Sequence, residues 1–281
     1  MSSQGGLDTT FTSDGEHTPP VAVVIPAKDE ETTIASTVRS AKALPGVKLI
    51  VVVDDGSHDN TKNVARAAGA VGIRHTVNRG KASAMETGAN VVSMHEPEGA
   101  EPYLLLFLDA DLGESSAEAA PLIEPVATGK ADCTIAVLPP QKGAGGRGFV
   151  KNLSRRAIYH FTGWKPVAPL SGQRCLTREA YQAAVPLAEG WGVETAMTIA
   201  ILRRRLTIQE VPCEFGHRVS TNSVRGQIHR FHQFVDVWKT VIALKTKQIG
   251  RIGILKALRH PSIKGKPEPS VDYEPFRMAP K

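Results

Sequence analysis

Leu104-Leu-Leu-Phe-Leu-Asp-Ala-Asp111 is the stretch on which the reading of this chain turns. An unbroken apolar run with no polar alternation fits a strand buried on both faces. The run from Tyr103 to Leu108 is therefore expected as a strand, stopped by Asp109. Two carboxylates one residue apart at a strand end can both reach one hard divalent cation, and Mg2+ and Mn2+ prefer oxygen ligands and keep positions for phosphates. Asp-x-Asp alone is common in loops, so the order of the surrounding elements has to decide its meaning.

Working outward, the same pattern recurs on both sides. Val21-Ala-Val-Val-Ile25 and Leu49-Ile-Val-Val-Val53 are β-branched runs expected as buried strands, with Gly72–His75 and Cys133–Leu138 as further ones. Between them, Asp29–Ala43, Asp59–Ala68, Lys81–Met94 and Glu118–Thr128 have helical composition. Strand alternating with helix predicts an α/β fold with a mostly parallel central sheet flanked by helices. Such sheets bind ligands beyond the carboxyl ends of their strands, so the polar residues after each strand are the first candidates.

After the first strand comes Pro26-Ala27-Lys28-Asp29-Glu30-Glu31. Its backbone can enclose a base and Glu30 can approach a ribose; equally, Asp29 can cap a helix whose first turn carries the acids. After the second comes Asp54-Asp55-Gly56-Ser57, where Gly56 serves a turn and a carboxylate can accept from a nucleotide. Asn78-Arg79-Gly80-Lys81 places a lysine at a helix start, against the dipole, which a bound diphosphate would explain. No GxxxxGK[ST] loop is present.

These four segments, in this order, resemble the amino-terminal half of family 2 glycosyltransferases with the GT-A (Rossmann-like) fold, over roughly residues 21 to 138. The resemblance implies a nucleoside diphosphate sugar donor, UDP-glucose favoured. Pro26, Ala27, Glu30, Asp55, Lys81, Asp109, Ala110 and Asp111 match its donor-binding positions. Asp111 matches the metal-ligating aspartate, and Asp109 the one that faces the sugar or ribose. The second half is similar to a narrower group, the polyprenyl-phosphate sugar synthases and phosphoglycerate-type synthases. Leu170-Ser171-Gly172-Gln173-Arg174 looks like the acceptor-side turn of that group. Glu194, in Gly190-Trp191-Gly192-Val193-Glu194, matches a glutamate that faces sugar and acceptor. His217 matches a histidine that completes a metal site. Read from the residues alone, Glu194 also suits a helix start and His217 a surface loop. Arg174 could bind phosphate bidentately or form a surface ion pair.

The resemblance thus implies a metal-dependent transfer of a hexose, with Mg2+ or Mn2+ as cofactor, to a phosphorylated small molecule or a lipid phosphate. The Gln-x-x-Arg-Arg-Trp signature of polymer-making synthases is absent. A nucleotidyltransferase is the enzyme alternative, but the acidic turn after the first strand argues against it. A catalytically degenerate nucleotide-binding scaffold is the non-enzyme alternative.

Bulk properties set the outer bounds. The chain has 281 residues, 41% hydrophobic, with a net charge of +6. That accommodates one large domain with a sizeable core. No apolar run approaches the roughly 18–20 residues that span a bilayer, and the polar start lacks a signal-peptide pattern. The expectation is a cytoplasmic protein, with peripheral contact at the inner face of the membrane and a homodimer both open. The three cysteines are widely spaced, which disfavours a disulfide framework or thiolate zinc site. Lys151, Arg155, Arg156, Arg203, Arg204, Arg205, Arg218, Arg225 and Arg230 make the second half basic, mostly as a solvated face. No DNA-binding motif or aromatic stacking platform is visible, so nucleic acid is not an expected partner. Residues 1–19 and 261–281 read as flexible tails around a domain at 20–260, split into a nucleotide-sugar half (20–138) and an acceptor half (139–260). In the latter, Gln141–Gly148 reads as a loop, Lys151–Thr162 as a basic helix, Pro169–Arg174 as a turn, Val193–Arg204 as a helix, Thr207–Pro212 as a strand and Val224–Lys247 as a long helix or a broken pair.

Overall fold

A computed structural model describes residues 19–139, 147–216 and 274–279. Its elements are β1 (Val21–Ala27), α1 (Ile34–Lys42), β2 (Val47–Asp54), α2 (Thr61–Ala67), β3 (Val71–Arg74), α3 (Lys81–His95), β4 (Leu104–Phe107), α4 (Ala120–Ala127), β5 (Cys133–Val137), α5 (Arg147–Thr162), β6 (Arg174–Leu176), α6 (Arg178–Ala184), α7 (Val193–Arg203) and β7 (Ile208–Pro212). The strands form one sheet in the order β3-β2-β1-β4-β6-β5-β7. Pairing is parallel except that β6 runs antiparallel to both β4 and β5. This is the GT-A architecture, an α/β fold with a mostly parallel sheet.

The period of two along each strand divides the core. Val21, Val23, Ile25, Ile50, Val52, Leu104 and Leu106 pack on one face with Ile34, Val38 and Ala41 of α1 and Leu122, Ile123 and Val126 of α4. Ala22, Val24, Val51, Val53, Leu105 and Phe107 pack on the other with α3, α6 and α7. Strands covered on both faces lose their alternation of polar residues, which is why they read as continuous apolar runs. Each wholly buried Val, Leu or Ile contributes about 1.5–3 kcal/mol.

Successive strands β1, β2, β3 step outward one way, and β4 then returns to the other side of β1. The crevice between the carboxyl ends of β1 and β4 is the switch point where such sheets bind ligands. Asp55, Asp109 and the turn after β1 stand at that end.

Four expectations need correction. The helix read from Asp29 begins only at Ile34, with Thr33 as N-cap and no acid in its first turn. Arg174, read as the end of the turn Pro169–Arg174, opens the strand Arg174–Leu176, and Arg178–Ala184 is an additional helix capped by the Thr177 hydroxyl, which accepts from Ala180 N. The helix read from Lys151 starts at Arg147. Part of the stretch read as a loose tail instead docks: Phe276 exchanges backbone hydrogen bonds with Ile208 (2.9 and 2.7 Å) and stacks on Trp164. The helix read at 224–247, His217, and Arg218, Arg225 and Arg230 lie outside the described residues.

Candidate active site

The turn after β1 and the turn after β2 are built as one unit. Ser57 Oγ accepts from Asp29 N (2.9 Å), Thr61 Oγ1 from Glu30 N (2.8 Å) and Asp59 Oδ2 from Glu31 N (3.0 Å). In return Asp29 Oδ1 accepts from His58 N (2.7 Å) and Glu31 Oε2 from Asn60 N (3.0 Å). These bonds hold Asp29 at φ 56, a left-handed conformation that delays the helix. Asp54 Oδ1 accepts from Ser57 N at 2.8 Å and shapes the second turn. Gly56 adopts φ +72, and a Cβ there would lie 2.8 Å from Asn78 N, so glycine is required on both grounds. Glu30, half-buried beside the buried Ala27 and half-buried Pro26, accepts from Thr33 Oγ1 at 2.6 Å.

Asp55 is 5% exposed and organises the next turn. Its Oδ1 accepts from Arg79 N (2.8 Å) and lies 2.7 Å from His75 Nδ1; its Oδ2 accepts from Gly80 N (2.7 Å). An ionised carboxylate only accepts, so His75 Nδ1 carries the proton there, and Nε2 meets the Thr87 hydroxyl at 2.9 Å. Burial alone would raise the Asp55 carboxyl; the Arg79 amide, the His75 ring and the Gly80 amide outweigh it and hold it below the usual range. His75 was not singled out from the sequence. It follows β3 as Asp55 follows β2, so the rule of looking just past each strand would have found it.

Lys81 opens α3 and reaches across to β4's end and to α7. Its Nζ donates to Asp109 Oδ1 (2.8 Å) and Glu194 Oε1 (3.2 Å). Burial disfavours the ammonium, but Asp109 and then Glu194 outweigh it and raise its pKa. Gln173 Nε2 donates to Asp109 Oδ2 at 2.6 Å. Both Asp109 oxygens are thus engaged by protein, whereas Asp111 is exposed. Thr37, buried within α1, fixes the intervening backbone: its hydroxyl donates to Ala110 O (2.9 Å) and accepts from Gly113 N (2.8 Å). Gly172 passes so close that a Cβ would lie 2.6 Å from Lys81 Nζ.

Glu194, in the first turn of α7, is 5% exposed, so it serves the helix dipole and the Lys81 contact together. The surface ion pair read for Arg174 is corrected. The residue is 1% exposed, with Nε donating to Ser171 O (2.8 Å) and an Nη to Thr198 Oγ1 (2.9 Å), so it braces the turn from inside and is neither a surface ion pair nor a side chain open to solvent. Ser171, Gly172 and Gln173 stand beside Asp109 as a group. Cys133, Cys175 and Cys213 are free and buried, and burial pushes the Cys133 and Cys213 thiols up to about 12, which disfavours their thiolates.

The model of the family described as glycosyl transferase family 2 matches residues 22–182. The chain belongs to that family. This glycosyltransferase is 28% identical over 218 residues to an uncharacterized protein of Methanocaldococcus jannaschii, the match covering 73% of this chain and 87% of that one. It is 29% identical over 200 residues to glucosyl-3-phosphoglycerate synthase of Mycolicibacterium paratuberculosis, covering 64% and 59%, and 27% identical over 206 residues to the glycosyltransferase AglJ of Haloferax volcanii, covering 70% and 63%. It therefore spans about three-fifths of the length of these two named relatives. Its fold matches the crystal structure of glucosyl-3-phosphoglycerate synthase from Mycobacterium tuberculosis in complex with Mg2+ and UDP, with TM-score 0.64 at 24% identity, covering 80% of this chain and 79% of that one. Family membership sets aside the nucleotidyltransferase alternative. Among the described residues, no helix of this glycosyltransferase is long and apolar enough to cross a membrane.

Proposed function

We propose that this glycosyltransferase moves a hexose from a uridine diphosphate sugar, UDP-glucose foremost, to a small phosphorylated acceptor. The observation that carries the reading is the Lys81 ammonium joining Asp109 of the nucleotide-sugar half to Glu194 of the acceptor half, with Gln173 closing on Asp109. Asp55 supports a nucleotide at this end of the sheet: it is an acceptor-only group when ionised, and it fixes the turn at Arg79 and Gly80 that leads to Lys81. Two mycobacterial relatives are named glucosyl-3-phosphoglycerate synthase, and one related structure holds Mn2+, UDP-glucose and phosphoglyceric acid.

In this reading Pro26, Ala27 and Glu30 border the base and ribose, and Asp109 orients the sugar. Ser171, Gly172 and Gln173 meet the acceptor while Arg174 supports them. Glu194 orients and activates the acceptor group. Mg2+ or Mn2+ fits the site: such ions take one or two carboxylates together with substrate phosphates, and exposed Asp111 is the available carboxylate. Among the described residues no group of three ligating side chains stands together, so the phosphates and His217 would complete the set. Ser115 Oγ donates to Gly216 O (3.2 Å), which brings the chain just before His217 to the loop after Asp111. When bound, the cation supplies positive charge to the departing diphosphate.

A thermal-shift panel of UDP-, GDP-, ADP- and TDP-sugars, with and without Mn2+, tests the donor. A Mn2+-dependent shift with UDP-glucose, abolished in Asp111→Ala, is expected. No shift with any nucleotide would remove the reading. Release of UDP with 3-phosphoglycerate, compared with a polyprenyl phosphate in detergent, then tests the acceptor class.

A further inference from the structure

Residues 163–173 join α5 to β6 without helix or strand of their own, yet they deliver Gln173 to Asp109 and Gly172 to Lys81. Their backbone is held by charged side chains. Glu210 of β7 is 4% exposed, and its two oxygens accept from Val167 N (2.8 Å) and Ala168 N (2.5 Å). From the other side Arg155 of α5 donates through Nε to Pro166 O (2.8 Å) and through an Nη to Val167 O (3.3 Å). Both peptide units flanking Val167 are therefore fixed by side chains distant in sequence. Within the segment Ser171 N donates to Ala168 O (3.2 Å), which transmits that placement to the turn beside the active site.

A carboxylate buried between Ile208 and Pro212 carries a desolvation cost, and an apolar residue there would leave two N–H groups unpaired. The burial that raises the Glu210 carboxyl is countered by the Val167 and Ala168 amides, then by Arg155 and Lys151. Neither Glu210 nor Arg155 touches Asp109, Lys81 or Glu194 in the contacts described.

We propose that Glu210 and Arg155 are positioning residues that clamp the 166–168 backbone and so set where Ser171–Gln173 stands against Asp109 and Lys81. The functional half of this inference rests on the acceptor-side reading of that turn. The clamp fixes acceptor placement while leaving the donor half, built on β1 to β4, untouched.

Hydrogen exchange on the full chain tests the clamp. In Glu210→Ala, and in Arg155→Met, amides of residues 164–173 should exchange at least about tenfold faster while peptides of β1 and β2 keep wild-type rates. Unchanged exchange at 164–173, or equal acceleration throughout the sheet, overturns it. With UDP-glucose, Mn2+ and 3-phosphoglycerate as probes, kcat/KM for the acceptor should fall by about ten- to a hundredfold while donor KM stays within about twofold, since small misplacements are costly to orientation. Glu210→Gln, which keeps one accepting oxygen, should recover part of the loss. Donor and acceptor parameters worsening together would reduce Glu210 to a stability element. Should the wild type bind no UDP and transfer nothing, the donor reading fails, and the exchange rates still decide the clamp.

Discussion

Replacing Asp55 by Asn keeps the shape of the side chain and changes only what it can accept. In the wild type one carboxylate takes bonds from Arg79 N, His75 Nδ1 and Gly80 N, all at 2.7–2.8 Å, in a site 5% exposed. With the amide oxygen turned toward Arg79 and His75, those two bonds persist but lose their charge assistance. The amide nitrogen then faces Gly80 N, which keeps only Asn78 Oδ1 at 3.0 Å. Bonds to charged groups are worth about 1.5–3 kcal/mol and neutral ones about half that, which puts the total loss at roughly 2–4 kcal/mol. For a domain of this size that lowers Tm by roughly 5–15 °C. The folded-state pKa of Asp55 is depressed, so its stabilisation is in place above the unfolded value of 3.8 and is lost as pH falls through the lower folded one. The gap between wild type and Asp55→Asn should hold steady from about pH 5 to 8 and narrow below about pH 4. Differential scanning fluorimetry across that range, with and without UDP and Mn2+, reads both. A variant that melts within about 2 °C of wild type at pH 7 and still shifts with UDP would refute the assignment of Asp55 as organiser of the donor site.

Three further outcomes follow from the same geometry. Gly172→Ala places a Cβ 2.6 Å from Lys81 Nζ and should displace the lysine from Asp109 and Glu194; turnover should fall sharply in a transfer assay while Tm moves by less than about 2 °C, because a flexible side-chain end gives way. His75→Leu leaves the Thr87 hydroxyl and Asp55 each one partner short; chemical denaturation should show a loss of about 1–3 kcal/mol, with Thr87→Val costing less, and equal stabilities would contradict the link. Glu210 has a raised folded-state pKa, so its favourable contribution is complete below the unfolded value of 4.5 and is lost as pH rises through the folded one. Wild-type Tm minus that of Glu210→Gln should therefore decline as pH climbs above about 4.5, and a flat or rising difference would show the carboxylate is not buried at a cost.

The parallel half of the sheet was legible because strands covered on both faces must be apolar throughout, and Val21–Ile25, Leu49–Val53 and Tyr103–Leu108 show that directly. The candidate residues after those strands were legible for the same topological reason. β6 was hidden because Arg174, a charged side chain, sits fully buried in a strand of three residues, and no local pattern announces a guanidinium bonded inside the fold. The start of α1 was misplaced because residues 29–31, which look like a helix cap, donate their backbone amides to the side chains of Ser57, Thr61 and Asp59, while the Asp29 and Glu31 carboxylates accept from His58 N and Asn60 N. Thr37 and Glu210 escaped attention for a related reason: each acts through backbone groups many residues away, and a side chain's tertiary partner leaves no periodicity behind.

Among the described residues strand β7 is the last of the sheet, and an uncovered end strand is a template for a neighbouring chain. Phe276 covers that edge at Ile208 while its ring lies on Trp164. Shortening the protein ahead of Phe276 would bare both the hydrogen-bonding groups of Ile208 and an indole face. Self-association on purification would be the cost, seen as a concentration-dependent shift on gel filtration. An affinity handle is therefore better carried ahead of residue 19 than in place of the last few residues.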